Sequence, residues 1–263
     1  MKPAENLTGQ IASVATQHCA LGIMAKAPSA GSVKTRLTPS LTYQEASILS
    51  ACFLRDTANN IQSLAAAQGA QGVIVYTPAT ARKALSGLVP AGFQLLAQHG
   101  ESLGDRLLNA TKDLLARGYD SACLINSDSP TLPPAILESA MEALEPAGDR
   151  LVLGPAEDGG YYLIGLKSAH EILFDCIAWS TSEVLAHTIE RARQISLDVV
   201  MLPRWYDVDD AATLNRLCAE LFLPDPSSNG HSIYAAPFTR DYLANLLERD
   251  QGKRIWTGYE RRD

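Results

Sequence analysis

The sequence lacks any hydrophobic run long enough to cross a bilayer. Its apolar stretches fall short of the ~18 residues that a membrane-spanning helix needs. The first residues, 1–16, are polar and mixed, whereas a secretory signal has a charged segment followed by an apolar one. We therefore expect this 263-residue chain to have no membrane partner and to be cytoplasmic.

Positive charge is also scarce. Lys and Arg number 22 against 29 Asp and Glu, which gives a formal net charge of -7. A broad nucleic-acid interface needs many clustered Lys and Arg side chains. We therefore expect no nucleic-acid partner, and any anionic ligand must be held by a local group of cations.

Several motifs that are typical of particular enzyme classes or metal sites are missing. The five cysteines include no CxxC pair and are predicted to be buried free thiols, and the five histidines include no HExxH pattern. The sequence has no GxGxxG fingerprint, no complete Walker loop and no GxSxG elbow. These absences argue against a classical Rossmann dehydrogenase, a P-loop NTPase and a serine hydrolase.

What the sequence does contain is an alternation of short apolar runs with longer amphipathic ones, which predicts an α/β fold with a largely parallel sheet. The predicted strands are residues 20–25, 73–77, 93–97, 122–126, 151–154, 161–166 and 197–202. The predicted helices are residues 46–67, 103–116, 134–144, 184–193 and 211–221. Two capping boxes are predicted, Thr42 with Glu45 and Ser180 with Glu183.

A turn-rich break at residues 224–230 divides the chain. We predict an N-terminal extension (1–17), a core domain (18–222) and a C-terminal tail (223–263). The tail is rich in Tyr, Phe, Trp and Leu, so we expect it to dock on the core or on a partner subunit.

The segment after the first predicted strand carries charge of one sign. No acidic residue lies between Glu5 and Glu45, while Lys26, Lys34 and Arg36 fall close together. Loops at the carboxyl ends of parallel strands bind ligands in open α/β sheets. We predict a diphosphate-binding loop here, with a solvated basic turn as the alternative.

Candidate metal-binding carboxylates occur in two later segments of the chain. Asp128 comes directly after an apolar strand that Pro130 ends, where a carboxylate can hold a hard divalent cation that bridges phosphate oxygens; the alternative is that Asp128 only shapes a turn. Asp207 and Asp209 alternate, so they face the same way if their segment is extended. One of them is a candidate second metal ligand, and Asp210 is a candidate helix cap.

Glu157 and Asp158 precede two glycines between predicted strands. Asp-Gly-Gly is first of all a hairpin signal. Carboxylates in a pocket can also accept hydrogen bonds from sugar hydroxyls, or one can act as a base on an acceptor hydroxyl. Trp179 is a candidate for stacking on a sugar or base ring, with buried packing as the alternative.

Taken together, these segments resemble a family of small bacterial transferases with the GT-A type fold, often described as arsenosugar-biosynthesis glycosyltransferases and formerly as a domain of unknown function. The matching segments are residues 26–37, 98–106, 127–133, 154–163, 179–181 and 202–209. The resemblance implies the nucleotide-diphospho-sugar transferase fold: three layers (α/β/α) around a seven-stranded, mostly parallel mixed sheet. It also implies an aspartate that coordinates Mg²⁺ or Mn²⁺ after a central strand.

The resemblance further implies residue roles by position. The implied catalytic residues are Lys34, Asp128, Glu157 and Asp158. The implied nucleotide and substrate contacts are Ala25, Lys26, Gly31, Lys34, Thr35, Arg36, Gln98, Gly104, Arg106, Gly159 and Trp179. The implied metal ligands are Asp128 and one of Asp209 and Asp207. The sequence departs from the family pattern in three ways. Asn126 replaces a glycine usual in the family, and the tail after Pro224 exceeds the usual family length. In addition, Ser127-Asp128-Ser129 offers one carboxylate where sugar transferases often have Asp-x-Asp.

Three functions are compatible with these residues. The first is transfer of a glycosyl group from a nucleotide-diphosphate sugar to a small-molecule acceptor, with divalent-metal assistance. The alternative within the same fold is nucleotidyl transfer from a nucleoside triphosphate to a phosphorylated small molecule, with release of pyrophosphate. The alternative from another class is a non-catalytic nucleotide-binding module. A homodimer is a possible assembly for each.

Overall fold

The computed structural model describes residues 19–223, 232–249, 252 and 254–259. Its centre is one seven-stranded sheet. The strands are β1 (Cys19–Lys26), β2 (Ala70–Thr77), β3 (Gln94–Ala97), β4 (Ser121–Asn126), β5 (Arg150–Pro155), β6 (Tyr161–Leu166) and β7 (Asp198–Met201). Their order across the sheet is β3-β2-β1-β4-β6-β5-β7. Only β6 runs antiparallel to its neighbours β4 and β5, so the predicted mostly parallel mixed sheet is confirmed.

Helices connect most of these strands, and two more helices follow the last strand. They are α1 (Tyr43–Gln68), α2 (Arg82–Ser86), α3 (Leu103–Ala116), α4 (Pro134–Leu144), α5 (Val184–Gln194), α6 (Ala211–Phe222) and α7 (Pro237–Arg249). Short 3-10 turns lie at Thr35–Leu37, Ala79–Ala81 and Glu171–Leu173. No helix within the described ranges is both long enough and apolar enough to span a membrane.

The side chains of β4 show why the fold has three layers. Cys123 and Ile125 belong to a hydrophobic cluster that includes α1, α4, α6 and α7. Ala122 and Leu124 point the other way, into a cluster that includes α3 and α5. Alternate residues of a strand face opposite sides of a sheet, and a strand covered on both sides is apolar throughout. The sequence pattern of this strand therefore predicted the layering correctly.

One of the two predicted capping boxes is wrong. Thr42 and Glu45 form the expected reciprocal box at the start of α1. At α5, however, the N-cap is Glu183 and no side chain caps the helix, because Ser180 adopts a left-handed conformation (φ 63°). The backbone N–H of Leu185 instead donates to the carbonyl of Gly159, 3.0 Å away. A neighbouring loop thus satisfies a donor that the sequence pattern assigned to a side chain.

The cysteine prediction needs one correction. Cys19, Cys52, Cys123 and Cys218 are buried free thiols as expected, but Cys176 is exposed. It lies in the irregular segment before Trp179 with a φ of 52°, where the chain runs over the surface between β6 and α5.

The described part of the predicted tail lies against α1. Asp56, a fully buried residue of α1, accepts hydrogen bonds from the backbone N–H groups of Phe238 (3.1 Å) and Thr239 (2.7 Å) at the start of α7. Arg254 makes two hydrogen bonds to Glu45 at the first turn of α1. The predicted extension (1–17) and the turn-rich break (224–230) lie outside the described residues.

Candidate functional site

A cavity of about 370 Å³ opens where the parallel strands β1, β2, β3 and β4 end. Strands that run in parallel bring their carboxyl ends to the same edge of a sheet. The loop after β1, the segment after β4 and the segment before α6 therefore meet here. Nine of the predicted site residues line this first cavity: Ala25, Lys26, Lys34, Thr35, Arg36, Gln98, Arg106, Asp128 and Asp209.

Lys34 lies at the centre of a group of charged side chains in this cavity. Its Nζ lies 2.9 Å from Asp128 Oδ1, 2.7 Å from Asp209 Oδ1 and 2.8 Å from the carbonyl oxygen of Val208. The side chain is only 4% exposed. Burial by itself lowers the pKa of Lys34, but the charges of Asp128 and Asp209 outweigh it, so the pKa is raised and the ammonium stays protonated.

The backbone of the loop after β1 holds Lys34 in this position. Lys34 has φ 50° and ψ 36°, a left-handed conformation that is costly for a residue with a Cβ atom. A 3-10 turn follows at once, and its Leu37 is buried in the core. On the other side of Lys34, the Nζ of Lys26 donates to the carbonyl of Ser32 across 2.9 Å. The loop is thus folded on itself, with Gly31 taking the positive φ of 76° that the turn requires.

Arg36 extends the positive charge towards solvent. Its side chain is 74% exposed, and its Nη2 lies 2.6 Å from Asp209 Oδ2. Arg36 lines the first cavity and also a second, adjoining one. The guanidinium therefore lies between the two cavities, where it can contact an anion bound in either.

Asp207 takes a different environment from Asp209. Its carboxylate Oδ1 accepts hydrogen bonds from the side chains of Asn126 (2.6 Å) and Ser129 (3.0 Å). Burial raises the pKa of Asp207 to about 7, with the charge of Asp128 adding to the effect. Asn126, the departure from the family pattern, thus holds Asp207 against β4, while Asp209 faces the basic loop.

The donor set at this site suits a hard divalent cation. Asp128 and Asp209 offer carboxylate oxygens on the wall of a cavity that also carries Lys26, Arg36 and Arg106. Magnesium binds through one or two carboxylates together with substrate phosphates and waters. In the part of the chain that the structure describes, no three acidic, His or Cys side chains group into a metal site. The residues therefore fit a Mg²⁺ or Mn²⁺ that phosphate oxygens help to hold.

The second cavity has a volume of about 480 Å³ and a different lining. Its wall is largely apolar and aromatic, with a polar rim. Its main lining residues are Leu107, Leu124, Ile164, Tyr161, Trp179 and Val184, and the rim includes Asp158, Ser180, Thr181 and Ser182. Met24, Arg36 and Leu103 line both cavities, so the two are neighbours.

Two predicted glycines shape this second cavity without lining the first. A Cβ atom on Gly104 would come within 2.9 Å of the Trp179 ring and of the Phe174 carbonyl. A Cβ atom on Gly159 would come within 2.2 Å of the Ser182 carbonyl oxygen, and Gly159 has a φ of 93°. Both glycines therefore allow close packing around the segment that carries Trp179. Gly31 likewise lines neither cavity and contributes its turn.

The neighbouring acids Glu157 and Asp158 lie in different surroundings. Asp158 lines the second cavity, and its Oδ1 accepts the backbone N–H of Gly160 at 2.9 Å. Glu157 lines neither cavity; both its carboxylate oxygens lie 2.9 Å from Nη1 of Arg216 on α6. The structure therefore brings Asp158 to the candidate site and places Glu157 in a surface ion pair.

Several lining residues escaped the sequence analysis. Ser50 lies on α1, and Thr77 ends β2; both line the first cavity, together with Ser127. Ser50 has no motif around it, because it faces the cavity from the buried side of a long helix. Thr77 carried a usable signal, since it ends a predicted strand beside the one that leads to Gln98.

The fold and this pair of cavities define a protein of the nucleotide-diphospho-sugar transferase fold. A family model described as "Uncharacterized protein conserved in bacteria (DUF2064)" matches residues 60–181. A solved structure from Desulfovibrio desulfuricans G20, provisionally described as a nucleotide-diphospho-sugar transferase, is 31% identical in sequence, with a TM-score of 0.72. The match covers 85% of this chain and 97% of that one. At this identity and coverage, the chain belongs to the same family as the Desulfovibrio protein, within the GT-A type superfamily.

Two further solved structures match at lower identity and with TM-scores below 0.5. A CMP-2-keto-3-deoxy-manno-octonic acid synthetase complexed with CTP is 14% identical, with a TM-score of 0.49, and the match covers 77% of this chain and 97% of that one. A cytidylyltransferase from Leptospira borgpetersenii serovar Hardjo-bovis is 13% identical, with a TM-score of 0.48, over 94% of this chain and 100% of that one. No curated protein matches this chain in sequence.

Proposed function

We propose that this protein transfers a glycosyl group from a nucleotide-diphosphate sugar to a small-molecule acceptor, assisted by Mg²⁺ or Mn²⁺. The observation that carries the proposal is the meeting of Lys34 with Asp128 and Asp209 in the first cavity, beside Arg36. Cations and metal-ligating carboxylates at the carboxyl ends of parallel strands are what binding of a metal-complexed diphosphate requires. The similar Desulfovibrio protein, provisionally described as a nucleotide-diphospho-sugar transferase, supports the same class.

The nucleotide fits the first cavity in one direction. Thr77, Gln98 and Arg106 line its end at β2 and β3, while Arg36 lies with Asp128 and Asp209 at its other end, the β4 end. Lys26 lines the cavity from the end of β1, opposite Thr77 of β2. The side-chain amide of Gln98 is fixed, since its Nε2 donates to the Val75 carbonyl at 2.7 Å. We assign the β3 end to the base and ribose and the β4 end to the diphosphate.

The chemistry of glycosyl transfer explains the charges at the β4 end. The diphosphate leaves with negative charge, and groups placed beforehand around that charge lower the barrier. Arg36 supplies positive charge there, Lys26 lines the same cavity from the end of β1, and Asp128 and Asp209 would hold the metal. The metal, when bound, would neutralise the departing diphosphate as a Lewis acid.

The second cavity suits the sugar and its acceptor. Trp179 offers an aromatic face for the apolar side of a sugar ring. Asp158 and the hydroxyls of Ser180 and Thr181 on its rim offer hydrogen-bonding groups for sugar hydroxyls. Asp158 is also the carboxylate placed to accept a proton from an attacking hydroxyl. Arg36, which lines both cavities, lies where the bond between sugar and phosphate would be broken.

Nucleotidyl transfer is the second candidate, and one observation favours it. Lys26, Arg36 and Arg106 all line the first cavity, and three cations provide for a triphosphate as well as for a diphosphate. A phosphorylated substrate would then attack the α-phosphorus, and pyrophosphate would leave.

Product analysis separates the two functions. The protein is incubated with Mg²⁺ or Mn²⁺ in two sets of reactions. One set contains a panel of sugar nucleotides together with small-molecule acceptors that carry hydroxyl groups. The other contains the four nucleoside triphosphates together with phosphorylated sugars and alcohols. We expect nucleoside diphosphate to be released from a sugar nucleotide. Pyrophosphate release that depends on the phosphorylated substrate would replace the glycosyl proposal with the nucleotidyl one.

A matched pair of variants makes the result specific to the cavity. Asp128→Asn changes the proposed metal site, and Asp149→Asn changes an aspartate that pairs with His170 at 2.6 Å outside both cavities. Turnover should be lost only in the first. Tight nucleotide binding with no turnover on either panel would indicate the non-catalytic binding module.

A further inference from the structure

Lys34 already uses its whole hydrogen-bonding capacity within the protein. An ammonium has three N–H donors and no acceptor. Three oxygens lie within 2.9 Å of the Lys34 Nζ: Asp128 Oδ1, Asp209 Oδ1 and the carbonyl of Val208. With all three donors engaged, the side chain has none left for a phosphate oxygen.

The position of this ammonium is that of a bound cation. It is surrounded by oxygens, two of them from carboxylates, and it is nearly inaccessible to water at 4% exposure. These same carboxylates are the ones that fit a divalent metal. An ammonium between them neutralises the charge that would attract a metal ion and occupies the space between the oxygens.

Several features of the fold hold the Lys34 ammonium in this position. The loop accepts a left-handed backbone at Lys34 (φ 50°), which is unfavourable for a side-chain-bearing residue. The Nζ also lies 5.7 Å from the centre of the Phe53 ring on α1, within the range of a cation–π interaction. Arg36 binds the other oxygen of Asp209. The backbone of the loop, the ring of Phe53 and the side chain of Arg36 thus hold Lys34 and its partners together.

We propose that Lys34 is an internal counter-ion that competes with the divalent metal for Asp128 and Asp209. In the free protein, Lys34 holds the two carboxylates and suppresses metal binding. When the nucleotide enters, Lys34 leaves Asp128 and turns to the diphosphate, and the carboxylates become available to a metal that the phosphates also bind. Metal therefore enters with the nucleotide and not before it. This inference rests on the proposed function for the role of the nucleotide, whereas the competition itself does not.

Metal binding without nucleotide tests the competition directly. Free Mn²⁺ is measured by electron paramagnetic resonance in titrations of the wild-type protein, Lys34→Met and the control Lys83→Met, whose side chain is exposed on α2. Removal of the internal cation should tighten Mn²⁺ binding by about tenfold or more. Lys83→Met should match the wild type. Equal Mn²⁺ affinity in wild type and Lys34→Met would overturn the proposal.

Thermal unfolding with and without Mn²⁺ tests the proposal even if Lys34→Met folds poorly. Lys34→Met leaves Asp128 without its counter-ion and Asp209 with Arg36 alone, which destabilises the fold. Mn²⁺ should therefore raise the thermal unfolding midpoint of Lys34→Met more than that of the wild type or of Lys34→Arg, which keeps the charge. A smaller or equal rise in Lys34→Met would also contradict the proposal.

Nucleotide titrations separate this inference from the proposed function. UDP, GDP, CDP and ADP are each titrated into the wild type with and without Mn²⁺. We expect at least one of these nucleotides to bind. The wild type should retain Mn²⁺ only when that nucleotide is present, and Lys34→Met should bind the nucleotide more weakly. If none binds, the proposed function fails, while the nucleotide-free Mn²⁺ comparison still decides whether Lys34 competes with the metal.

Discussion

Two ion-pair clusters join distant parts of this chain, and they differ in what surrounds them. Lys34 meets Asp128 and Asp209 in the wall of a cavity, with a side chain only 4% exposed. Arg254 meets Glu45 on the outer face of α1, with a side chain 31% exposed and a partner that already belongs to a helix-capping box. The first cluster concentrates charge in a cavity, and the second fastens the tail to a helix.

The difference shows which kind of ion pair indicates function. Desolvation of buried charges offsets much of their attraction, so a buried cluster is an inefficient way to stabilise a fold. A half-exposed pair that completes a helix terminus costs little to form and contributes modestly. Asp128→Asn should therefore cost activity while the fold persists, whereas a substitution of Arg254 should cost stability and leave activity unchanged.

The largest effect is expected at Asp128. Asp128→Asn keeps the size of the side chain and one oxygen but removes the charge that binds a metal. Turnover should fall by about 10³-fold, while Lys34 keeps Asp209 and the Val208 carbonyl as partners, so the fold should persist. Steady-state kinetics with circular dichroism as the folding check measures this. Turnover within a few-fold of the wild type would remove Asp128 from the mechanism.

The neighbouring acids of the β5–β6 loop give the next largest contrast. Asp158→Asn should lower kcat by about 10²-fold, because Asp158 lines the second cavity and is placed to act as a base. Glu157→Gln should change kcat by less than about threefold, since Glu157 pairs with Arg216 outside the cavities and exposed pairs contribute little. A larger loss in Glu157→Gln than in Asp158→Asn would return Glu157 to the catalytic role that the family resemblance implies.

Glu157 and Asp158 also show how much of the fold and of the candidate site can be predicted from the sequence. The sheet, its layers and the meeting of Lys34 with Asp128 were predictable, because apolar runs define strands and the ends of parallel strands share an edge. The choice between Glu157 and Asp158 was not predictable from spacing. It depends on Arg216, which is 59 residues away in sequence and draws Glu157 out of the site.

Other parts of the site were hidden for the same reason. Asn126 gave no signal of its role until β4 brought it to Asp207. Ser180 looked like a helix cap, but its left-handed backbone and the nearby carbonyl of Gly159 gave α5 a different start. Local patterns predict local structure, and these contacts are decided by tertiary packing.

Gly104 tests the second cavity with a smaller expected effect. Gly104→Ala places a methyl group about 2.9 Å from Trp179 and from a backbone carbonyl, so we expect a loss of about 2 kcal/mol in the free energy of unfolding. KM for the sugar nucleotide should also rise as Trp179 shifts. Gly87→Ala is the control, because its Cβ would meet nothing closer than 3.9 Å. Urea unfolding and steady-state kinetics that showed equal behaviour of the two variants would disprove this role for Gly104.

The smallest effect is expected at the tail, and it depends on pH. The hydrogen bond from Arg254, opposed by burial and aided by Thr42, lowers the pKa of Glu45 to about 2. A carboxyl whose folded pKa is depressed contributes stability above its ordinary pKa of about 4.5, and that contribution is lost as the pH falls towards 2. Arg254→Ala should therefore cost about 1 kcal/mol at pH 7 and less at pH 3, with turnover at pH 7 unchanged. Urea unfolding of both proteins at the two pH values measures the gap. A gap that stayed constant between them would mean that Arg254 stabilises the tail by packing alone, and the contrast between the two clusters would then lie in burial and not in charge.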